Sequence, residues 1–230
     1  MRGIFAICIR LIFTVFAAAE LLIACQKEST ETEFTVTDID GNVYNKIRIG
    51  SQVWMGENLK TTKLNDGTDI PNVTDTLKWE NLKGSGYCWY DNDISNKNLY
   101  GVLYNWSAVN TGKLCPEGWH VPDEEDWRSL ETFLGGRSVA GGKLKETGLI
   151  HWLSPNKGAT NESGFTCLPG GRRFVEGQFW GLGYLAEMWS SEPNEGFDSL
   201  VYGMTYESGY SGFDYLLKQN GCSVRCLKDN

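Results

Sequence analysis

Histidine is scarce in this chain, which has only His120 and His151 among 230 residues. There is no Cys-x-x-Cys pair, no Gly-x-Ser-x-Gly elbow and no phosphate loop. A zinc site would have to rest on Cys222 and Cys226 without the usual companions, and a histidine-activated nucleophile lacks its parts, so neither metal nor catalytic chemistry is expected. Positive charge is also short: 21 basic residues face 29 acidic ones, for a net charge of −8. That balance opposes nucleic acid and anionic lipid surfaces as partners. No internal repeat is visible.

One long apolar run is present, Ile4 to Ala19, broken by Arg10 and followed by Leu22-Ile23-Ala24-Cys25. Arg10 and Glu20 spoil a membrane-spanning helix, whereas a small residue before cysteine is what a lipoprotein signal peptidase cleaves. Residues 1–24 therefore read as a lipoprotein signal peptide and Cys25 as the lipidation site, whose diacylglycerol and N-acyl (palmitate-type) chains supply two-signal membrane anchoring. Cleavage would remove Arg2, Arg10 and Glu20, taking the net charge from −8 to −9. Residues 25–35 are expected to be a flexible tether, because Gln26 to Glu33 offers little to bury. Lys27-Glu28 resembles the acidic export signal of surface lipoproteins in the Bacteroidetes. The expected location is the bacterial cell envelope, at the outer membrane and displayed at the surface.

Residues 36–230 are expected to form a single domain. Short apolar runs are broken by turn residues, with Asp40-Gly41-Asn42 ahead of Val43-Tyr44 as a hairpin signal. Twenty-seven glycines and 13% aromatics suggest a loop-rich fold with a ring-filled core. One helix is well marked after Pro122: Asp123 is its N-cap, Asp126 follows three residues on, and Trp127, Leu130 and Leu134 share one face before Gly135-Gly136. A second is expected from Val139 to Thr147, weakened by Gly141-Gly142. Trp189, Leu200-Val201-Tyr202 and Ser223-Val224-Arg225 read as strands.

Beyond Cys25 the domain has Cys88, Cys115, Cys167, Cys222 and Cys226. Thiols outside the inner membrane usually pair, and five leave one over. On an extended strand Cys222 and Cys226 point to the same face, so each reaches its own partner. The preferred pairing is Cys115 with Cys226 and Cys167 with Cys222, leaving Cys88 free; sequence alone does not fix this connectivity.

Six segments, YNKIRIGSQVWMGENLKTTKLNDGTDI, GYCWYDND, YGVLYNWSAV, LCPEGWHVPDEEDW, NESGFTCLPGGRRF and SVRCLKD, occur in this order from about Asp38 to Asp229. Together they resemble the Fibrobacter succinogenes major paralogous domain. Cys167 and Cys222 depart from that family's pattern, which gives a further reason to pair them with each other. More distantly, WHVPDEEDW followed by SVRC is similar to elements of the formylglycine-generating enzymes. That likeness implies an α+β, C-type-lectin-like fold: a small twisted antiparallel sheet, two flanking helices and long loops. The oxidase chemistry of those enzymes is a remote alternative, since its reactive cysteines do not align with Cys167 or Cys222.

Ligand residues are sought among the loops. Asp91 and Asp93 are weak calcium candidates, lacking the glycine and the closing acid of an EF-hand loop. Glu192-Pro193-Asn194 matches a lectin calcium tripeptide in isolation. No cofactor is expected otherwise. Trp54, Trp89, Trp106, Trp119 and Trp127 are assigned to the interior, while Trp79, Trp152 and Trp180 lie in polar or glycine-rich segments and are expected to be exposed. Arg172, Arg173, Trp152, Trp180 and Tyr184 are the candidate ligand-binding set. The function expected is non-catalytic binding of extracellular glycan, with a protein partner or a structural surface role as the alternative.

Overall fold

The computed structural model describes residues 34–192 and 195–230. The signal peptide, the lipidation site Cys25, most of the tether, and Pro193-Asn194 lie outside the described residues. The described domain is α+β, with mostly antiparallel strands and few helices. It does not rest on a single sheet. The largest sheet joins β1 (Thr35–Thr37), β2 (Val43–Ile49), β3 (Gln52–Met55), β12 (Leu227–Lys228) and β6 (Trp119–His120) in that order. A second sheet holds β11 (Ser211–Leu217), β10 (Asp198–Thr205) and β9 (Leu185–Trp189), and two ribbons pair β4 (Tyr87–Cys88) with β5 (Leu103–Tyr104) and β7 (Gly170–Arg173) with β8 (Phe179–Leu182).

The turn between β1 and β2 is organised by Asp38. Its carboxylate accepts from the Asp40 and Asn42 backbone N–H groups at 3.0 and 2.9 Å and from the Tyr44 hydroxyl at 2.6 Å. The Asp-Gly signal thus becomes a hairpin in which Thr37 pairs with Val43.

Three short helices, α1 (Thr76–Glu80), α2 (Lys97–Tyr100) and α3 (Trp106–Val109), precede the marked one. That helix, α4, runs Glu124–Phe133 and starts in a reciprocal capping box: the Asp123 carboxylate accepts from the Asp126 N–H at 2.9 Å, and Asp126 accepts from the Asp123 N–H at 3.1 Å. Its buried face carries Trp127 and Leu130. The Trp127 ring stacks on Tyr202 at 4.5 Å and meets Trp54 at 4.8 Å. Each such fully buried ring contributes about 1.5–3 kcal/mol of hydrophobic stabilisation.

The next helix, α5, spans Arg137–Leu144 rather than Val139–Thr147, because Lys145 is already extended. The glycine pair that lowers its propensity is there for packing. A Cβ on Gly141 would lie 2.3 Å from the Tyr210 carbonyl oxygen, and one on Gly142 would lie 2.2 Å from that of Gly158. No side chain fits either approach.

The C-terminal segment Gly221–Leu227 is wholly buried and threads the sheets together. Gly221 exchanges both backbone bonds with Arg173, and Cys222 does so with Tyr104. Ser223 donates to Glu187 and accepts from Trp189, while Val224 and Cys226 accept from Leu59 and Met55. The separate bridges fall on Gly221, Cys222 and Ser223, and Val224 and Arg225 lie outside any strand, so the strand expected over Ser223-Val224-Arg225 does not form. Cys115 and Cys226 form the expected disulfide, which ties the loop before β6 to the residue before β12 across 111 positions.

The second expected disulfide is absent. Cys167 and Cys222 are both free and buried, as is Cys88. Cys167 packs in the core cluster around Trp54 and Trp127, and Cys222 in the separate cluster around Tyr104 and Trp189. Cys222 and Cys226 would share one face only on a continuous strand, and this segment is not one.

Candidate functional site

Three cations are buried where a patterned reading puts charge outside. Arg173 is fully buried. Its guanidinium donates to the carbonyls of Gly177, Val73 and Thr74 and lies over the Trp79 ring at 4.5 Å and the Phe179 ring at 5.0 Å. Lys145 donates to the Lys157, Thr205 and Ser208 carbonyls at 2.8–3.0 Å and lies 5.2 Å from the Trp152 ring; burial holds its pKa down at about 8. Arg225 donates to the Asn58 side-chain oxygen and the Phe165 carbonyl and stacks on Phe165 at 4.1 Å, with its pKa lowered by burial to about 10. Carbonyl dipoles and ring faces stand in for carboxylates in all three places.

This arrangement divides the candidate ligand set. Arg173 and Trp152 are interior: the Trp152 ring is 1% exposed, and its Nε1–H donates to the Cys167 carbonyl at 2.9 Å. Trp79 is interior as well, beneath Arg173. These three corrections have one cause. The polar neighbours that suggested exposure, such as His151, are themselves tied down, here by the Glu146 carboxylate at 2.8 Å. Trp54, Trp106, Trp119 and Trp127 are buried as expected, and Trp89 packs against the core from its edge.

Arg172, Trp180 and Tyr184 remain accessible or partly so. Alternation along β7 sends Arg172 to the opposite side from Arg173. There its Nη1 donates to both carboxylate oxygens of Glu187 at 3.0 Å, and its plane lies over Phe174 at 4.8 Å and Trp180 at 5.2 Å. Trp180 is 49% exposed. Tyr184, in the β8–β9 turn, is also open and meets Tyr206 edge-on at 5.4 Å.

Glu187 was not singled out from sequence, yet it joins this cluster to an open groove. The groove, about 200 Å³ in volume, runs over the β9-β10-β11 sheet between Leu185, Glu187, Tyr210 and Asp214. Its floor is low because Glu187 pairs with Gly203, which pairs in turn with Gly212 on β11. Two glycines in strand interiors signal a close approach, and a Cβ on Gly212 would come within 2.7 Å of the Tyr210 ring. Burial pushes the Glu187 carboxyl up to about 7, against the pull of Arg172. The signal available in sequence was Gly203 and Gly212 interrupting two β runs.

Asp91 and Asp93 do not converge on a cation. Both are exposed. Asp91 sits at φ 54°, and Asp93 caps a 3₁₀ turn by accepting from the Ser95 N–H at 2.9 Å, a bond that lowers its pKa. Among the described residues no group of three or more His, Cys, Asp or Glu side chains is placed to hold a metal.

Fold and groove together define a disulfide-tied, mostly antiparallel α+β domain with an open aromatic and polar cleft on one sheet. The chain belongs to the Fibrobacter succinogenes major domain family, whose model matches residues 47–228. Neither the curated proteins nor the solved structures gave a significant match.

Proposed function

We propose that this domain is a non-catalytic binding module of the bacterial cell envelope, anchored by a lipid on Cys25, and that it recognises extracellular glycan at the Trp180–Arg172 cluster and the adjoining groove that Glu187 lines. One observation carries the reading: a half-exposed indole is held against a guanidinium that is itself fixed by a nearly buried carboxylate, beside an open cleft. Sugar rings stack on such indole faces, and their hydroxyls bond to such charged pairs. The chemistry of the remaining groups favours binding over catalysis. Both histidines are engaged by carboxylates, and the three free thiols are buried with raised pKa values, Cys88 at about 12 and Cys167 at about 11. Burial of that kind also disfavours an oxidase resembling the formylglycine-generating enzymes. A C-type-lectin-like fold is part of the proposal, supported by the first and last strands sharing one sheet.

A glycan array, followed by affinity electrophoresis in the polysaccharides that score, tests the reading. Retention of the wild-type domain and its loss in Trp180→Ala is expected, with an unchanged thermal midpoint in chelator because no calcium takes part. Absence of retention on every glycan refutes it.

A protein partner is the second reading, favoured by a specific surface. Leu149, Ile150 and Leu153 are 58%, 83% and 44% exposed, on a loop held rigid by the buried Trp152 and by the Asn156 amide bonds to the Glu146 and Gly148 carbonyls. Ile150→Asp leaves glycan retention intact under the first reading and abolishes function under the second.

A further inference from the structure

A second cleft, of about 230 Å³, opens above Arg225. Here a buried charge meets an opening. Arg225 is 1% exposed, and no carboxylate lies within ion-pair distance of it among the described residues. Its hydrogen bonds to Asn58 and Phe165 use three of the five donors a guanidinium carries. The nearest acid to influence it is Glu57, which also lines the cleft and whose two oxygens each accept one bond from Asn45, at 2.6 and 2.9 Å. Each of those oxygens keeps a further lone pair for a donor.

A separate observation falls on the same wall. Thr166 lines the cleft at φ 51°, a left-handed conformation that a β-branched residue rarely adopts. It is held there by Asn161, whose side chain accepts from the Thr166 N–H at 2.8 Å and donates to its hydroxyl at 2.9 Å. Backbone strain of this sort collects at ligand clamps, where the surroundings over-determine it. Leu99 and Leu168 complete the cleft with apolar surface, and Leu99 is 41% exposed at its rim.

The geometry points to a second ligand site here, for a single neutral sugar ring. Arg225, with donors unspent, and Glu57, with acceptor lone pairs unspent, both line this one opening, so a donor and an acceptor are offered to different hydroxyls of one sugar ring; the opposite charges offset each other, so a charged ligand gains nothing over a neutral one. The apolar walls suit the C–H face of the ring. The volume lies below the roughly 300 Å³ at which drug-sized pockets begin, so the cleft admits one ring and not an oligomer. This site is independent of the Trp180 groove, and it stands or falls separately from the function proposed there.

NMR titration of the whole domain with glucose, galactose, mannose, N-acetylglucosamine and glucuronate tests it. At least one neutral sugar is expected to bind saturably in the millimolar range, and equally well to Trp180→Ala. Leu99→Trp, which fills the rim without touching Arg225, is expected to abolish binding while circular dichroism and the thermal midpoint stay unchanged. Glu57→Gln is expected to weaken it about tenfold, the worth of a hydrogen bond to a charged group. Four outcomes each overturn the inference: no saturable binding by any neutral sugar, preference for glucuronate over glucose, indifference to Leu99→Trp, or loss of binding in Trp180→Ala.

Discussion

Removing the Cys115–Cys226 bond gives the sharpest test of how this domain is held. The bond closes a loop of 111 positions that contains α4, α5 and every strand from β6 to β11. In the chain-entropy model a loop of that length restricts the unfolded ensemble by about 5 kcal/mol. Both cysteines are 2% exposed or less, so replacing them with alanine adds a small packing loss in the same direction. For a domain of this size each kcal/mol moves the melting midpoint by about 2–4 °C, so the double variant Cys115→Ala/Cys226→Ala should melt roughly 10–20 °C below the wild type. Scanning calorimetry of both proteins, with the wild type also refolded under reduction, measures the difference. Thiol titration of the domain in denaturant without reductant should give three groups, Cys88, Cys167 and Cys222, and none before unfolding. A midpoint shift under 3 °C would show that the bond constrains little. A single titratable thiol would show that Cys167 and Cys222 are joined after all.

Two further predictions concern the helices. His120 is held between Asp126 at 3.0 Å and Asp229 at 2.6 Å; the hydrogen bond it donates to Asp126 leads in raising its pKa to about 9, against burial, with the bond to Asp229 adding to it. A raised histidine pKa stabilises fully below the unfolded value near 6.5 and loses that contribution as pH climbs through 9, so urea midpoints should fall across pH 6.5–9. The side chain is 41% exposed, so solvent screening reduces the contribution to about 1 kcal/mol. His120→Asn should flatten that slope, and an unchanged slope would assign it to other groups. Gly142→Ala would stabilise a helix judged on propensity alone by about 1 kcal/mol. Overlap with the Gly158 carbonyl should instead make it destabilising by about 1–3 kcal/mol, and a raised melting midpoint would refute the close approach.

The parts of the fold that were legible in sequence are those fixed by neighbours along the chain. The α4 capping box needs only Asp123 and Asp126, and the β1–β2 turn only Asp38 to Tyr44. What escaped depends on partners far away. Arg173 is buried because it reaches the Val73 carbonyl, 100 residues back, and Arg225 because it reaches Asn58, 167 residues back. A backbone carbonyl has no side-chain signature, so a cation satisfied by carbonyls looks like surface in any pattern. The candidate site was half legible for the same reason. Adjacent arginines on a strand must face opposite ways, but which of Arg172 and Arg173 turns inward was decided by Trp79, Val73 and Glu187, none of them nearby in sequence.

The positions of these residues relative to the family motifs separate scaffold from recognition. Arg173 and Arg225 lie within the segments NESGFTCLPGGRRF and SVRCLKD, and the structure uses both as cross-ties between distant loops. Trp180, Tyr184 and Glu187 lie between those segments, on β8, its turn and β9, where the family resemblance rests on no quoted motif. The cleft over Arg225 is the reverse case: Glu57 and Asn58 belong to the first motif, Thr166 to the fifth and Arg225 to the last. A ligand in that cleft would be recognised by the same residues that build the domain, so binding there and folding are coupled. At the Trp180 cluster the two roles meet: Arg172 belongs to the fifth motif and forms a largely buried pair with Glu187, whereas the Trp180 ring lies outside the motifs and stands half exposed. Substituting Trp180 should therefore change binding without changing the melting midpoint, whereas substituting Arg225 should lower both. That contrast tells a recognition surface from a structural tie within one protein.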